Sequence, residues 1–301
     1  MDLRQLRYLV ALAEELNFTR AAAAEHNAQP ALSQQIRRLE DEAGVALVER
    51  TTRKVALTEA GELLVVRARR ILSELEAARD ELQALRGVDV GHVTIGAIHT
   101  MGPIDLSLAL AAFHEHHPGV TLTVREQHSE ECAEQLRVDE LDLAFLSVTE
   151  RVESHELAFH QLVSEELMLL LPREHALAGR DEVRMTELAH EHFISFRQGA
   201  RLRELLFSAG RDAHFEPRVT LESNEAARIR TLVARGLGVA ILPESEATAP
   251  GADTVAARLV DPVLVRDITL AWRAGRRLAP ATVAFLDLAR EMFGERTSEK
   301  R

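Results

Sequence analysis

A chain of 301 residues, 46% hydrophobic and 28% charged, has enough apolar mass for two or three domains with real cores. Its single cysteine, Cys132, excludes an intramolecular disulfide and a thiolate zinc cage, and no run of eighteen apolar residues offers a membrane span. The formal net charge of −12 is uneven: residues 1–87 hold 13 basic and 14 acidic side chains, so the acidity belongs to the rest.

The opening Met1-Asp2-Leu3-Arg4 shows no secretory signal, which points to the cytoplasm. Leu3, Leu6, Leu9, Val10, Ala13 and Leu16 mark the buried face of a first helix that Asn17-Phe18 breaks. Thr19 is placed to cap a short alanine-rich helix through Glu25, with Phe18 just outside as a staple. Asn27-Ala28 makes a tight turn, and Pro30 then opens a third helix at its first position, running to Ala43 and stopping at Gly44. In that helix Leu32, Ile36, Leu39 and Ala43 point one way, and Ser33, Gln34, Arg37 and Arg38 the other.

A short helix, a tight turn and a helix with a Ser/Gln/Arg/Arg outer face form a helix-turn-helix. Gln and Arg can pair with base edges in the major groove, while Ser and helix-start amides hold phosphates. Residues 47–57 then read as strand, basic turn and strand, a wing whose Arg50, Arg53 and Lys54 reach toward flanking DNA. Taken singly, each of these cations is a solvated surface charge; their order and spacing argue for DNA contact.

From Thr58 to Arg86, Leu64, Ala68, Ile71, Leu75, Ala78, Leu82 and Leu85 recur at alternating spacings of four and three. This is a heptad seam on a rod of about 43 Å. The spacing predicts pairing with a second copy of the same helix, since neither flanking domain needs the seam for its core. An ordinary amphipathic helix lying on its own domain is the simpler alternative.

Residues 1–61 resemble the winged helix-turn-helix of the LysR-type transcriptional regulators. The resemblance runs through Leu3-Arg4-Gln5-Leu6-Arg7-Tyr8, Phe18-Thr19-Arg20-Ala21-Ala22, the segment from Gln29-Pro30-Ala31-Leu32-Ser33-Gln34 to Leu39-Glu40, and Leu57-Thr58-Glu59-Ala60-Gly61. It implies DNA contact by Thr19, Gln29, Pro30, Ser33, Gln34, Arg37, Arg38, Arg50, Arg53 and Lys54. Glu25, Asn27 and Val48 depart from the family pattern, which predicts a less stable head. Asn27→Val should raise its melting temperature if Asn27 is buried, and leave it unchanged if Asn27 caps the turn.

Beyond Gly87 and Gly91 the pattern alternates strand and helix twice. The first pass is 92–98, 103–117, 120–125, 130–138 and 141–148, and the second is 193–196, 201–209, 219–221, 224–235 and 238–242. Pro118-Gly119-Val120-Thr121-Leu122 answers Pro217-Arg218-Val219-Thr220-Leu221. Two α/β subdomains with mostly parallel sheets follow. Two strands, 157–163 and 167–171, carry the chain across, a strand at 268–272 follows, and a helix at 283–293 closes the first subdomain. The same family resemblance extends here: an α/β fold class, with a winged head, a linker helix and a two-subdomain domain like that of periplasmic binding proteins. The divisions are 1–58, 59–87 and 91–293, with subdomain I at about 91–162 and 266–293 and subdomain II at about 163–265.

Ligands of open α/β sheets bind beyond the carboxyl ends of the strands. The repeat places there His99-Thr100-Met101, Gln127-His128-Ser129, Ser147-Val148-Thr149, Ser195-Phe196-Arg197 and Ser223-Asn224. Taken one at a time, such hydroxyls are helix caps first. Their convergence on one cleft is implied by the family, which binds small effectors there, at positions matching Thr100, Ser129, Phe196 and Arg197. The candidate effector residues are thus Thr100, Met101, Ser129, Thr149, Ser195, Phe196, Arg197 and Asn224, and Arg197 suits a carboxylate. A small anionic effector is expected.

The run His114-Glu115-His116-His117 does not place three imidazoles on one helix face, so no metal or other cofactor is expected. Cys132 lacks the partner thiol that a disulfide switch needs. No nucleophile elbow, phosphate-cradling loop or motif-placed acid/base pair suggests an enzyme. The expected function is a DNA-binding regulator, dimeric or tetrameric through the seam residues 64–82, with double-stranded DNA, an effector and RNA polymerase as partners and none in a membrane. A solute-binding protein without regulatory role is the alternative.

Overall fold

The computed structural model describes residues 1–50, 55–84, 90–149, 152 and 154–294. It forms two compact units, Met1–Val88 with Val138–Glu140, and Asp89–Arg137 with Leu141–Arg301.

In the first unit α1 (Leu3–Glu15) starts in a capping box. Asp2 Oδ1 accepts from the Gln5 amide at 2.8 Å, and Gln5 Oε1 accepts from the Asp2 amide at 2.7 Å. The cap of α2 (Phe18–Ala24) is Asn17, not Thr19. Its Oδ1 accepts from the amides of Thr19 and Arg20 at 2.9 and 3.1 Å. Asn offers the same kind of acceptor two residues earlier, which places Phe18 inside the helix and half-buried against the core.

Helix α3 (Gln29–Ala43) begins one residue before Pro30, so the proline holds the second position, and it ends at Gly44 with φ 71°. Leu9, Leu12, Leu32, Ile36 and Leu39 are fully buried between the three helices. Strands β1 (Val48–Arg50) and β2 (Val55–Leu57) pair antiparallel as the wing. Glu40 Oε1 fastens the wing's start by accepting from the Leu47 and Val48 amides at 3.0 and 3.1 Å.

Helix α4 (Glu59–Ala84) is capped by Thr58, whose Oγ1 accepts from the Gly61 amide at 3.0 Å and donates to the Ala46 carbonyl at 2.8 Å. Its first turn runs hard against the wing: a Cβ on Gly61 would lie 2.1 Å from the Leu47 carbonyl oxygen. Val65 is buried and Leu64 half-buried in the head core, and Ala68 is fully buried. The expectation that the head does not need the seam is therefore corrected at its first positions. Further along, Leu75 is half-buried, Ala78 is exposed, and Ile71 and Leu82 are 45% and 63% exposed.

In the second unit β3 (Gly91–Ala97), α5 (Leu106–His116), β4 (Val120–Glu126), α6 (Ser129–Arg137) and β5 (Leu143–Leu146) make two successive passes of strand and helix, with β3 parallel to both β4 and β5. Strand β6 (Leu157–Pro172) follows, then β7 (Glu182–Arg184), β8 (His192–Ser195), α7 (Arg201–Asp212), β9 (Arg218–Glu222), α8 (Ala226–Ala234), β10 (Ala240–Pro243) and the one-turn α9 (Glu244–Ala247). Strands β11 (Thr254–Val260) and β12 (Val265–Arg273) and helix α10 (Pro280–Phe293) complete it.

The main sheet runs β4-β3-β5-β12-β6-β11-β7, with β10 also on β6 and β8-β9 as a separate parallel pair. It is mixed rather than mostly parallel: β12 is antiparallel to β5 and β6, and β10 and β11 are antiparallel to β6. The two expected strands at 157–163 and 167–171 are one strand of 16 residues. The acidic Glu165 and Glu166 look like a break but continue the ladder, because each meets an arginine, Arg266 and Arg258.

Two cores flank this strand. One packs Val93, Ile95, Phe113, Phe145, Ile268 and Phe285, and α10 closes over it. The other packs Leu169, Leu171, Phe193, Ile229, Val239 and Leu242. Among the described residues no helix is long and apolar enough to cross a membrane.

Candidate functional site

On α3 the apolar stripe Leu32, Ile36 and Leu39 turns inward, so Gln34, Arg37 and Arg38, spaced three and four apart, share the exposed face. Ser33 is half-buried, while Thr19, Gln29 and Pro30 are exposed at the starts of α2 and α3. Arg50 ends β1; Arg53 and Lys54 lie outside the described residues. Asn27 is exposed, not buried. Its Nδ2 donates to the hydroxyl of buried Tyr8, and its Oδ1 accepts from the Ala28 amide at 2.9 Å. The turn is held by a polar tie, not by apolar packing.

In the second unit the strand ends enclose a partly open cavity of about 30 Å³, room for about two water molecules. Thr100, Ser129, Phe196 and Asn224 line it among the expected residues. Met101 instead packs against the first core, and Thr149 faces a wide groove along α7, its Oγ1 accepting from the Val152 amide at 3.2 Å. Ser195 is buried outside the lining. Arg197 is exposed and outside it too, only its amide reaching Asn224 Oδ1 at 3.4 Å. The arginines that do line the cavity are Arg201 and Arg266. Arg201 starts a helix. Arg266 sits in β12, where no motif marks it.

The hydroxyls of Thr100 and Ser129 are not spent as caps. Asp105 caps α5, accepting from the Leu108 amide at 3.0 Å, which leaves Thr100 free of that task. Thr100 Oγ1 accepts from Arg266 Nη1 at 2.7 Å, and Ser129 Oγ accepts from the Ser147 amide at 3.1 Å. Each hydroxyl therefore keeps its own hydrogen to give. Among the described residues no Asp or Glu lines the cavity, and His99 and His128 belong to its lining, with ring centroids 5.3 Å apart.

Arg266 is 3% exposed and Glu165 7%, and they are direct cross-strand partners on β12 and β6. Arg266 Nε and Nη2 donate to Glu165 Oε2 at 3.3 and 3.0 Å, and Nη1 also donates to the Thr100 carbonyl at 3.0 Å. Burial pulls the Arg266 guanidinium below its ordinary pKa, against the opposing charge of Glu165.

Cys132 is fully buried on α6, and loss of solvation, aided by Glu131, pushes its thiol up to about 12. The histidine run at the end of α5 has structural neighbours: His116 Nδ1 lies 2.8 Å from the Ala112 carbonyl, and His117 packs on Phe113 at 4.6 Å.

The sequence matches two family descriptions: bacterial regulatory helix-turn-helix protein, lysR family, over residues 3–62, and LysR substrate binding domain over residues 86–294. A hydrogen peroxide-inducible genes activator of Pectobacterium carotovorum subsp. carotovorum is 37% identical over 249 residues, spanning 81% of this chain and 80% of that protein. Full-length OxyR from Pseudomonas aeruginosa matches in structure with a TM-score of 0.75 at 29% identity, covering 96% of this chain and 95% of that one. Full-length CbnR complexed with its target DNA matches at a TM-score of 0.65 and 25% identity, covering 97% and 99%.

Proposed function

Because the chain belongs to the LysR family of transcriptional regulators, with its helix-turn-helix and its effector-binding domain, we propose that a small anionic effector in the cavity at Thr100 and Ser129 switches its hold on promoter DNA. The carrying observation is the donor set. Thr100 and Ser129 each have a hydroxyl hydrogen to give, Asn224 Oδ1 is engaged by the Arg197 amide so that its Nδ2 remains, and among the described residues no carboxylate lines the wall. Such a wall favours a ligand made of acceptors.

Gln34, Arg37 and Arg38 read the major groove on this proposal, with the starts of α2 and α3 and the wing on the phosphates. Exposed Ile71 and Leu82, with Leu75 and Ala78 on the same seam, pair with a second subunit, giving a dimer or a dimer of dimers. The head at 1–58, the linker at 59–87 and the two-lobed sensor at 91–293 are the working divisions. The cytoplasm is the working location, and RNA polymerase the partner that reads the outcome.

A peroxide response through thiol oxidation is not proposed for this chain, although one relative is named as a hydrogen peroxide-inducible genes activator. Oxidation starts from a thiolate, and the single cysteine here is buried and held protonated.

A gel shift with DNA from upstream of the chain's own reading frame tests the reading. Binding should fall steeply with salt, and more weakly so in Arg37→Ala or Arg38→Ala. Thr100→Val should abolish the response to inducing metabolites while leaving DNA affinity intact; an unchanged response would reject the cavity as the effector site.

A further inference from the structure

The buried pair at the crossing of β6 and β12 has an imperfect geometry. An arginine and a carboxylate usually meet through two parallel bonds to two oxygens. Here both Arg266 bonds go to one oxygen, Glu165 Oε2, because Glu165 Oε1 accepts from the Ser245 amide at 2.8 Å. Glu165 therefore holds the cavity's buried guanidinium with one hand and the start of α9 with the other.

Arg266 has five N–H groups. Two go to Glu165 and two to Thr100, leaving one on Nη2. Arg266 lines the cavity beside Thr100 and Ser129, so an oxoanion there meets this guanidinium and the two hydroxyls. In so buried a place a second negative charge on one guanidinium is costly, so the newcomer and Glu165 compete for it.

A place for the displaced carboxylate is already present. Ser245 Oγ is buried and has no hydrogen-bond partner among the described residues, though its own amide is already on Glu165. A buried hydroxyl left unmatched in this way needs an explanation. Released from Arg266, Glu165 can take that hydroxyl hydrogen without losing the Ser245 amide.

We propose that Glu165 is a built-in stand-in for the effector: it neutralises Arg266 when the cavity is empty, and an incoming carboxylate takes its place while Glu165 transfers to Ser245. This rests on the anionic-effector reading and adds the step by which occupancy of the cavity reaches α9 in the other lobe. The free energy available to shift the lobes is then the difference between the two carboxylates as partners of Arg266. The size of the cavity restricts the group that enters at Arg266 to a single carboxylate or a comparably compact oxoanion.

Formate is the smallest carboxylate and serves as the probe, its affinity for the full-length chain read by calorimetry. Glu165→Gln keeps the side-chain shape and removes the competing charge, so formate should bind at least about tenfold more tightly than to the wild type. Should that variant fail to fold, Glu165→Asp draws the charge back by one methylene and should shift affinity in the same direction. Ser245→Ala removes only the receiving hydroxyl, so the melting temperature should hold while formate affinity falls about threefold or more. Equal formate affinity in the wild type and the Glu165 variant, or none in either, overturns the exchange. Thr100→Val added to Glu165→Gln separates the two readings. If formate binding persists undiminished, the cavity is not the anion site and the broader reading falls; if it is lost while Glu165 and Ser245 changes leave affinity unmoved, only the exchange falls.

Discussion

Asn27 donates its side-chain amide to the hydroxyl of Tyr8, joining the turn of the reading head to the buried side of α1. The bond links residues 19 apart across two helices. Tyr8 is buried, so its hydroxyl has little access to water in exchange.

Asn27→Val should therefore lower the melting temperature of the head, by a loss of about 1 kcal/mol. It gains no burial, because position 27 is exposed. Thermal denaturation of Asn27→Val alongside Tyr8→Phe checks this: the two should cost similar amounts, and the double variant little more than either alone.

The seam of α4 should divide sharply under mutation. Ile71→Glu and Leu75→Glu place charge on its outlying part and should yield a monomer with a normally folded head, as seen by analytical ultracentrifugation. Ala68→Leu should instead cost the head about 1–3 kcal/mol by overpacking a fully buried position.

Gly61→Ala offers a contrast between helix propensity and close approach. On propensity alone alanine should gain about 0.5–1 kcal/mol over glycine in a helix. The Leu47 carbonyl oxygen at 2.1 Å from the new Cβ reverses the sign, because backbone on both sides must move. A fall in the urea midpoint of the head, together with a loosened wing in amide exchange, is the expected result.

Cys132 should resist alkylation in the folded protein at neutral pH and react at once when unfolded. Its folded pKa, about 12 against an ordinary 9.0, means that the native state keeps the proton more tightly. The stabilisation is complete below about pH 9 and is lost as the pH rises toward 12. Melting curves across that window should fall less steeply in Cys132→Ala than in the wild type.

The helices of the head were legible because their signals are local: an apolar residue every three or four positions, a proline near a start, a glycine at an end. The acceptor at Asn17 competed with Thr19 on equal chemical terms, and only backbone geometry chose between them. The seam was legible as a pattern but not as an allocation, since the same leucines and alanines suit a neighbour in the chain or in another copy. Strand β6 was read as two because Glu165 and Glu166 resemble a loop when their arginines stand about a hundred residues away. The same distance hid Arg266 and led to Arg197, which carries the right group on the wrong side of the strand end. A cavity wall assembled from five strand ends and one arginine of a distant strand has no short-range signature.

The chain passes between the two lobes along β6, one strand from Leu157 to Pro172, and again beside it at the start of β12, where Leu264 accepts from the Leu167 amide at 2.8 Å. Paired strands have no free joint. The lobes are thus coupled through a torsion bar, and any change in their relative attitude is a small twist shared over many hydrogen bonds instead of a swing about one residue. The irregular step between Ile268 and Thr269, two residues beyond Arg266, is the compliant point of that bar. A sensor built this way trades amplitude for stiffness: a displacement too small to open a wide mouth is still delivered, nearly undamped, to whatever the lobes hold at their far ends.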